Sequence, residues 1–200
     1  MLLTGRVALV TGGGTGIGKA ISEGLAKNGA RVAVASRNPS HLKAATDSFK
    51  KLDLPLLTVQ VDVRKKAEVQ EGVKRVRETW GGIDVLVNNA GILADEEETQ
   101  VVVEKLRKTL EVNLFGTIDF TQRLLPLLND GAHIVNISST AGSLELVGKV
   151  SHFMGHYPAY KISKVALNMY TRTLALELQD RDIMVSSVHP GWVKSDIGGQ

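Results

Sequence analysis

Tyr160 and Lys164 stand four residues apart, the separation at which two side chains share one face of a helix. A phenol beside an ammonium group can move a proton. Its ordinary pKa is about 10, so work near neutrality calls for a cation that favours the phenolate. Ser139, at the close of an apolar run, adds a hydroxyl able to hold a substrate oxygen. Reduction of a carbonyl needs these parts, because negative charge develops on oxygen and must meet a positioned acid and a hydrogen-bond donor.

Two overlaps compete with this reading. Tyr157 and Lys161 also stand four apart, but Pro158 follows Tyr157 and biases it out of the helical region. That predicts Tyr157 outside the helix, unable to share a face with Lys161, and Tyr160 inside the first turn. Ser138 competes with Ser139, and the alternation through residues 134–139 does not choose between them.

A redox partner is signalled by the stretch Thr11-Gly12-Gly13-Gly14-Thr15-Gly16-Ile17-Gly18. It follows the apolar run Val7-Ala8-Leu9-Val10, where a strand must turn, pass its backbone close to a pyrophosphate and open a helix whose amides face the anion. Gly12, Gly16 and Gly18 give the spacing G-x-x-x-G-x-G, which removes side chains from that approach. After the second apolar run comes Ala35-Ser36-Arg37-Asn38. An acid there would hold the ribose hydroxyls of NAD. Ser36 carries no charge to repel a 2′-phosphate, and Arg37 can pair with one, so the expected cofactor is NADP(H) in preference to NAD(H).

The elements that must position these residues follow from periodicity. Short β-branched runs predict strands over 7–11, 31–36, 56–61, 85–88, 133–138 and 184–188. Amphipathic segments predict helices over 17–28, 39–52, 65–80, 96–128 and 158–179. The alternation implies an α/β chain with one doubly wound parallel sheet, whose ligand crevice lies at the carboxyl ends of the strands where strand order reverses. The acids Asp95 to Glu98 fall where the fourth helix is expected to begin and would complement its dipole, without a catalytic role.

Composition narrows the classes. With 200 residues and a 43% apolar share, residues 1–200 are expected to form a single domain that holds both cofactor and catalytic residues. The net charge of +3 is spread through the chain, so nucleic acid is not the implied partner. No cysteine is present, which removes disulfides and thiolate chemistry, and the five histidines show no metal-ligand spacing. With no membrane-length apolar run and no signal-like start, a cytoplasmic setting is expected.

At this point the chain resembles the classical short-chain dehydrogenase/reductase family through nearly its whole length. The resemblance rests on the glycine turn, Asp62-Val63, Asn88-Asn89-Ala90-Gly91, Ile137-Ser138-Ser139, Tyr160-x-x-x-Lys164 and Pro190-Gly191-Trp192-Val193. It implies a Rossmann fold, with Asp62 and Val63 beside the adenine and Asn89, Ala90 and Gly91 along the adenosine ribose. Thr15, Ile17, Pro190, Gly191 and Val193 join the cofactor set. The resemblance places the active hydroxyl on Ser139, assigns Tyr160 as acid, gives Lys164 the nicotinamide ribose, and matches Asn113 to an asparagine that holds a relay water. The wording around Tyr160 and Pro190 is most similar to carbonyl reductases. The implied partner is a small carbonyl or alcohol substrate, and the implied assembly is a homodimer or homotetramer through the two long helices.

Two departures qualify that picture. Twenty residues separate Ser139 from Tyr160, more than is usual in the family. Leu144, Leu146, Val147, Val150, Phe153 and Met154 there fit an apolar substrate pocket or lid and, equally, a surface loop packed by its own side chains. Family members also usually run beyond the point matching Gln200, so the last of the usual seven strands is expected to be missing and 184–188 to form an edge. A dinucleotide-binding regulator with weak turnover is the second functional reading. A methyltransferase explains the glycine turn and leaves Ser139, Tyr160 and Lys164 unexplained.

Overall fold

The computed structural model describes residues 1–149, 156–191 and 193. Trp192 and the expected pocket residues Val150, Phe153 and Met154 lie outside them. A six-stranded parallel sheet forms the centre, from β1 (Val7–Thr11), β2 (Arg31–Ser36), β3 (Leu56–Gln60), β4 (Ile83–Asn88), β5 (Leu128–Ile137) and β6 (Met184–Val188). Their order is β3-β2-β1-β4-β5-β6. The chain winds outward from β1 to β3, then returns to lay β4 on the other side of β1. Order therefore reverses between β1 and β4, which opens a crevice above their carboxyl ends.

Alternation along β1 shows why the sheet is covered twice. Val7 and Leu9 pack into an apolar layer with Val69 and Val76 of α3 (Lys66–Trp80), Phe120 and Leu124 of α5 (Thr117–Leu124), and Leu174 of α6 (Pro158–Glu177). Ala8 faces the other way, among Ala26 of α1 (Gly16–Lys27) and Ala45 and Phe49 of α2 (Pro39–Lys51). Strands buried on both faces read as continuous apolar runs, as β1 does. At the other end of the order, β6 forms the sheet edge, with Met184 and Val188 exposed.

The long fourth helix expected over 96–128 is corrected. Residues 96–102 are not helical; α4 spans Val103–Leu110, a wider π turn covers Glu111–Gly116, α5 follows, and a tight turn at Leu125–Leu127 leads into β5. The acidic run therefore precedes the helix instead of opening it. Asp95 turns to the start of α6, while Glu98 pairs with Lys105. β5 also begins five residues earlier than expected, at Leu128, and its register shifts between Ile83 and Val85 across a segment that holds Gly131 at φ 74°. Among the described residues no helix is long and apolar enough to cross a membrane, and no acidic or imidazole cluster could hold a metal.

Candidate active site

A cavity of about 600 Å³ occupies the crevice. Its floor begins at the glycine turn. Gly12 and Gly16 have φ of 65° and 50°, in the left-handed region that favours glycine. Gly18 is demanded by contact: a Cβ there would lie 2.3 Å from the Gly12 carbonyl oxygen and 2.4 Å from Asn89 Nδ2. The turn is tied to the end of β4 from both sides. Asn89 Nδ2 donates to the carbonyls of Thr11 (3.0 Å) and Gly12 (3.3 Å), and Thr11 Oγ1 accepts the amides of Asn89 and Ala90, each at 3.0 Å. Thr15, in extended conformation, makes no side-chain cap, and the first residues of α1, Gly16 to Gly18, line the cavity.

This wall fits a dinucleotide. Glycines let the backbone approach, a helix N-terminus faces the space, and Gly12, Thr15, Gly16, Ile17, Gly18, Asn89, Ala90 and Gly91 all line it. At the end of β2, Ser36 is buried and its Oγ accepts the amide of Asn38 (3.3 Å), while Arg37 lines the cavity beside it. Asp62 and Val63 line the same end. The Asp62 carboxylate is paired with Arg64, at 2.9 Å to Nε and 2.5 Å to Nη2, which draws its pKa down to about 2. Arg37 also lies close enough to attract the Asp62 carboxylate.

At the other end, Ser139, Tyr160 and Lys164 line the cavity together with Pro190, Gly191 and Val193. The two serines are separated by their partners. Ser138 Oγ donates to Asn168 Oδ1 (2.7 Å) and is buried, whereas Ser139 Oγ accepts the amide of Ala141 (3.1 Å) and bonds to Tyr160. Lys164 Nζ is buried, donates to the Ile137 carbonyl (2.8 Å) and lies 5.3 Å from the Tyr160 ring centroid. Burial lowers the Lys164 pKa to about 8. Burial also raises the Tyr160 pKa, and the Ser139 bond draws it partly back. In the cofactor-free protein, burial is thus the largest influence on both groups.

Tyr157 stands outside α6, at φ 45° and ψ 55°, a left-handed conformation in place of the extended one that Pro158 favours. It nevertheless meets Lys161, whose Nζ lies 5.4 Å from its ring centroid. The expectation that these two could not share a face is corrected, because the left-handed turn swings the ring back over the helix. Tyr157 also lines the cavity. Asn113, in the π turn, does not line it. Its carboxamide accepts the amide of Ile92 (2.8 Å) and donates to the Ile92 carbonyl (3.0 Å) and to Ser163 Oγ (3.1 Å), so its side chain fastens the loop after β4 to α6. Of the insertion's apolar residues that the structure describes, Leu144 and Val147 are exposed, and neither they nor Leu146 line the cavity.

Two residues escaped the sequence. Thr11 looked like the end of a strand, yet its hydroxyl joins the glycine turn to β4. Asp95 looked like one of four surface acids and is 1% exposed. The small polar residue closing β1 was the available signal for the first; nothing local marked the second.

Comparison with known proteins agrees with this geometry. Residues 6–200 match the family model described as short chain dehydrogenase. An uncharacterized oxidoreductase of Staphylococcus saprophyticus is 34% identical over 200 residues, covering 98% of this chain and 82% of the relative. A short-chain dehydrogenase/reductase from Serratia marcescens superposes with a TM-score of 0.87 at 31% identity, over 99% of this chain and 78% of that one. A short chain dehydrogenase from Burkholderia cenocepacia, solved in complex with NADP, gives 0.86 at 34% identity, over 98% and 78%. The chain belongs to the short-chain dehydrogenase family of nicotinamide-dependent oxidoreductases.

Proposed function

We propose that the protein interconverts a carbonyl and an alcohol using NADP(H), with a mainly apolar ketone or aldehyde as substrate. The observation that carries this reading is that one cavity joins Arg37 and the glycine turn at one end to Ser139, Tyr160 and Lys164 at the other. When bound, the reduced dinucleotide supplies a hydride to the carbonyl carbon. Ser139 Oγ holds the carbonyl oxygen, and the Tyr160 hydroxyl gives it a proton. Burial raises the Tyr160 pKa, so the phenol holds its proton in the resting site. Lys164, anchored on the Ile137 carbonyl, keeps a positive charge beside the ring that stabilises the phenolate left behind. Asn113 acts by holding Ile92 and the loop around it.

Preference for NADP(H) rests on Ser36 and Arg37, and a relative that binds NADP lends support. Preference for an apolar substrate rests on Ile92, Leu93, Val112, Ile137 and Ala141 in the lining. Exposed Phe115, Met169 and Leu176, on the π turn and α6, fit burial between copies in a homodimer or homotetramer. The test is NADPH oxidation with a panel of aldehydes and ketones. Turnover that favours apolar carbonyls supports the reading; tight NADPH binding with no turnover of any of them would favour a dinucleotide-binding regulator.

A further inference from the structure

The loop that follows β4 reaches across to the start of α6. Asp95 in that loop is 1% exposed, and its Oδ2 accepts the amide of Ala159 at 2.6 Å. The Glu98 carbonyl accepts the amide of Tyr157 at 2.9 Å, and the Asp95 carbonyl accepts the amide of Glu98 at 3.0 Å. Both anchors thus belong to one turn. Pro158 between the held residues has no amide to offer. The opening of α6 is therefore gripped by chain 64 residues upstream, and the next residue is Tyr160.

A local cap would ordinarily do this from the residue before the helix. Here that residue is Tyr157, left-handed and with no side-chain cap. A buried carboxylate takes its place, at the desolvation cost that any buried charge carries. Asp95 also attracts Lys161, whose Nζ lies over the Tyr157 ring, and that ring meets the Tyr160 ring edge-on at 6.4 Å. Backbone and side-chain routes both lead from Asp95 to the same phenol. The loop bearing it lines the cavity through Ile92, Leu93 and Glu96, so one segment touches the substrate space and sets the helix.

We propose that Asp95 is a positioning residue for Tyr160, its carboxylate fixing the first turn of α6 so that the phenol stays within reach of Ser139. This rests on the reading of Tyr160 as proton donor. In the full-length chain, Asp95→Ala is expected to lower kcat by about 30- to 100-fold, the scale of a roughly 1 Å misplacement, with NADPH affinity changed less than about twofold. Asp95→Asn, whose carboxamide oxygen can accept the same amide, is expected to restore kcat to within about threefold.

A second readout needs neither cofactor nor substrate. The titration of the Tyr160 phenol is followed as the ultraviolet difference between each protein and its Tyr160→Phe counterpart. Groups facing the ring are Lys164 from the same helix, Tyr157 before it and the Ser139 hydroxyl. Asp95→Ala should move the titration to higher pH, because the Ser139 bond that lowers it is lost, and Asp95→Asn should return it. A lower Tm with unchanged titration and unchanged kcat per folded molecule would mean a structural role alone and overturn the proposal.

If Asp95→Ala does not fold, Asp95→Glu decides, since it keeps acceptor and charge but adds a methylene. A loss of about tenfold in kcat with a moved titration supports the proposal, and wild-type values for both overturn it. Tyr160→Phe separates the two readings. Its survival as an active enzyme would defeat the proton-donor reading, with the phenol titration still judging Asp95; its inactivity beside a wild-type-like Asp95→Ala would defeat the Asp95 proposal alone.

Discussion

Lys164 Nζ lies 5.3 Å from the centroid of the Tyr160 ring while donating its hydrogen bond to the Ile137 carbonyl. The cation is held by the sheet and faces the phenol without bonding to it. Its charge is available to a phenolate, and its position does not depend on one.

Tyr160→Phe removes the proposed proton donor and little volume. Turnover should fall by about 10²- to 10⁴-fold while NADPH binding stays within about twofold. Single-turnover kinetics together with fluorescence titration of NADPH check it. Substantial residual reduction would take Tyr160 out of the acid role.

Arg37→Ala removes the charge that we propose meets a 2′-phosphate. Affinity for NADPH should drop by about 10- to 100-fold and that for NADH by less than about twofold, the scale of a lost charge-assisted bond. Parallel calorimetric titrations with the two cofactors decide. Equal losses would cancel the phosphate assignment.

The buried Lys164 makes stability depend on pH. Its pKa is about 8 in the folded, cofactor-free protein and 10.5 as its ordinary value. Between those limits the unfolded chain binds a proton that the folded one lacks, so this group's contribution to stability rises with pH across that window. Below about pH 8 the full cost of burying the cation is present, of order 3 kcal/mol by that gap. Lys164→Met should therefore have a Tm advantage over the parent that is greatest below pH 8 and shrinks toward pH 10.5. A Tm difference that does not vary with pH would contradict the assignment.

The Asp62–Arg64 pair acts with the opposite sign at the acid end. The Asp62 pKa is depressed to about 2 from 3.8, so its contribution is complete above about pH 4 and is lost as pH falls through 2. Arg64 is 39% exposed and screened by solvent, which limits the effect to about 1 kcal/mol. Urea midpoints measured from pH 5 to pH 2 should fall less steeply for Asp62→Asn than for the parent.

Gly18→Ala places a methyl 2.3 Å from the Gly12 carbonyl oxygen. The turn must shift, at a cost of about 1–3 kcal/mol, and NADPH affinity should drop at least about tenfold. Chemical denaturation and cofactor titration read the two effects separately. Gly24→Ala is the control: it lies within the same helix, and a Cβ there meets nothing within 4 Å.

Local chemistry carried much of the architecture and part of the site. The all-apolar run from Val7 to Val10 required a strand covered on both faces, and the glycines after it required a turn that no side chain could cross. Tyr160 and Lys164 share a face because four residues in a helix always do. These are short-range consequences of residue type and spacing, and they are written in the chain itself.

Tertiary structure decided whatever depends on a distant partner. Both serines line the cavity, but Asn168 engages the Ser138 hydroxyl while Ser139 Oγ accepts the amide of Ala141, a difference in partners that alternation along the strand could not supply. Asp95 left an apparent acidic helix start to hold the amide of Ala159, and Tyr157 returned over Lys161 through a left-handed turn. The pKa values of Tyr160 and Lys164 followed burial more than their proximity to each other. Desolvation and long-range hydrogen bonds come into being only when separate segments close around a group, so no window of sequence contains them.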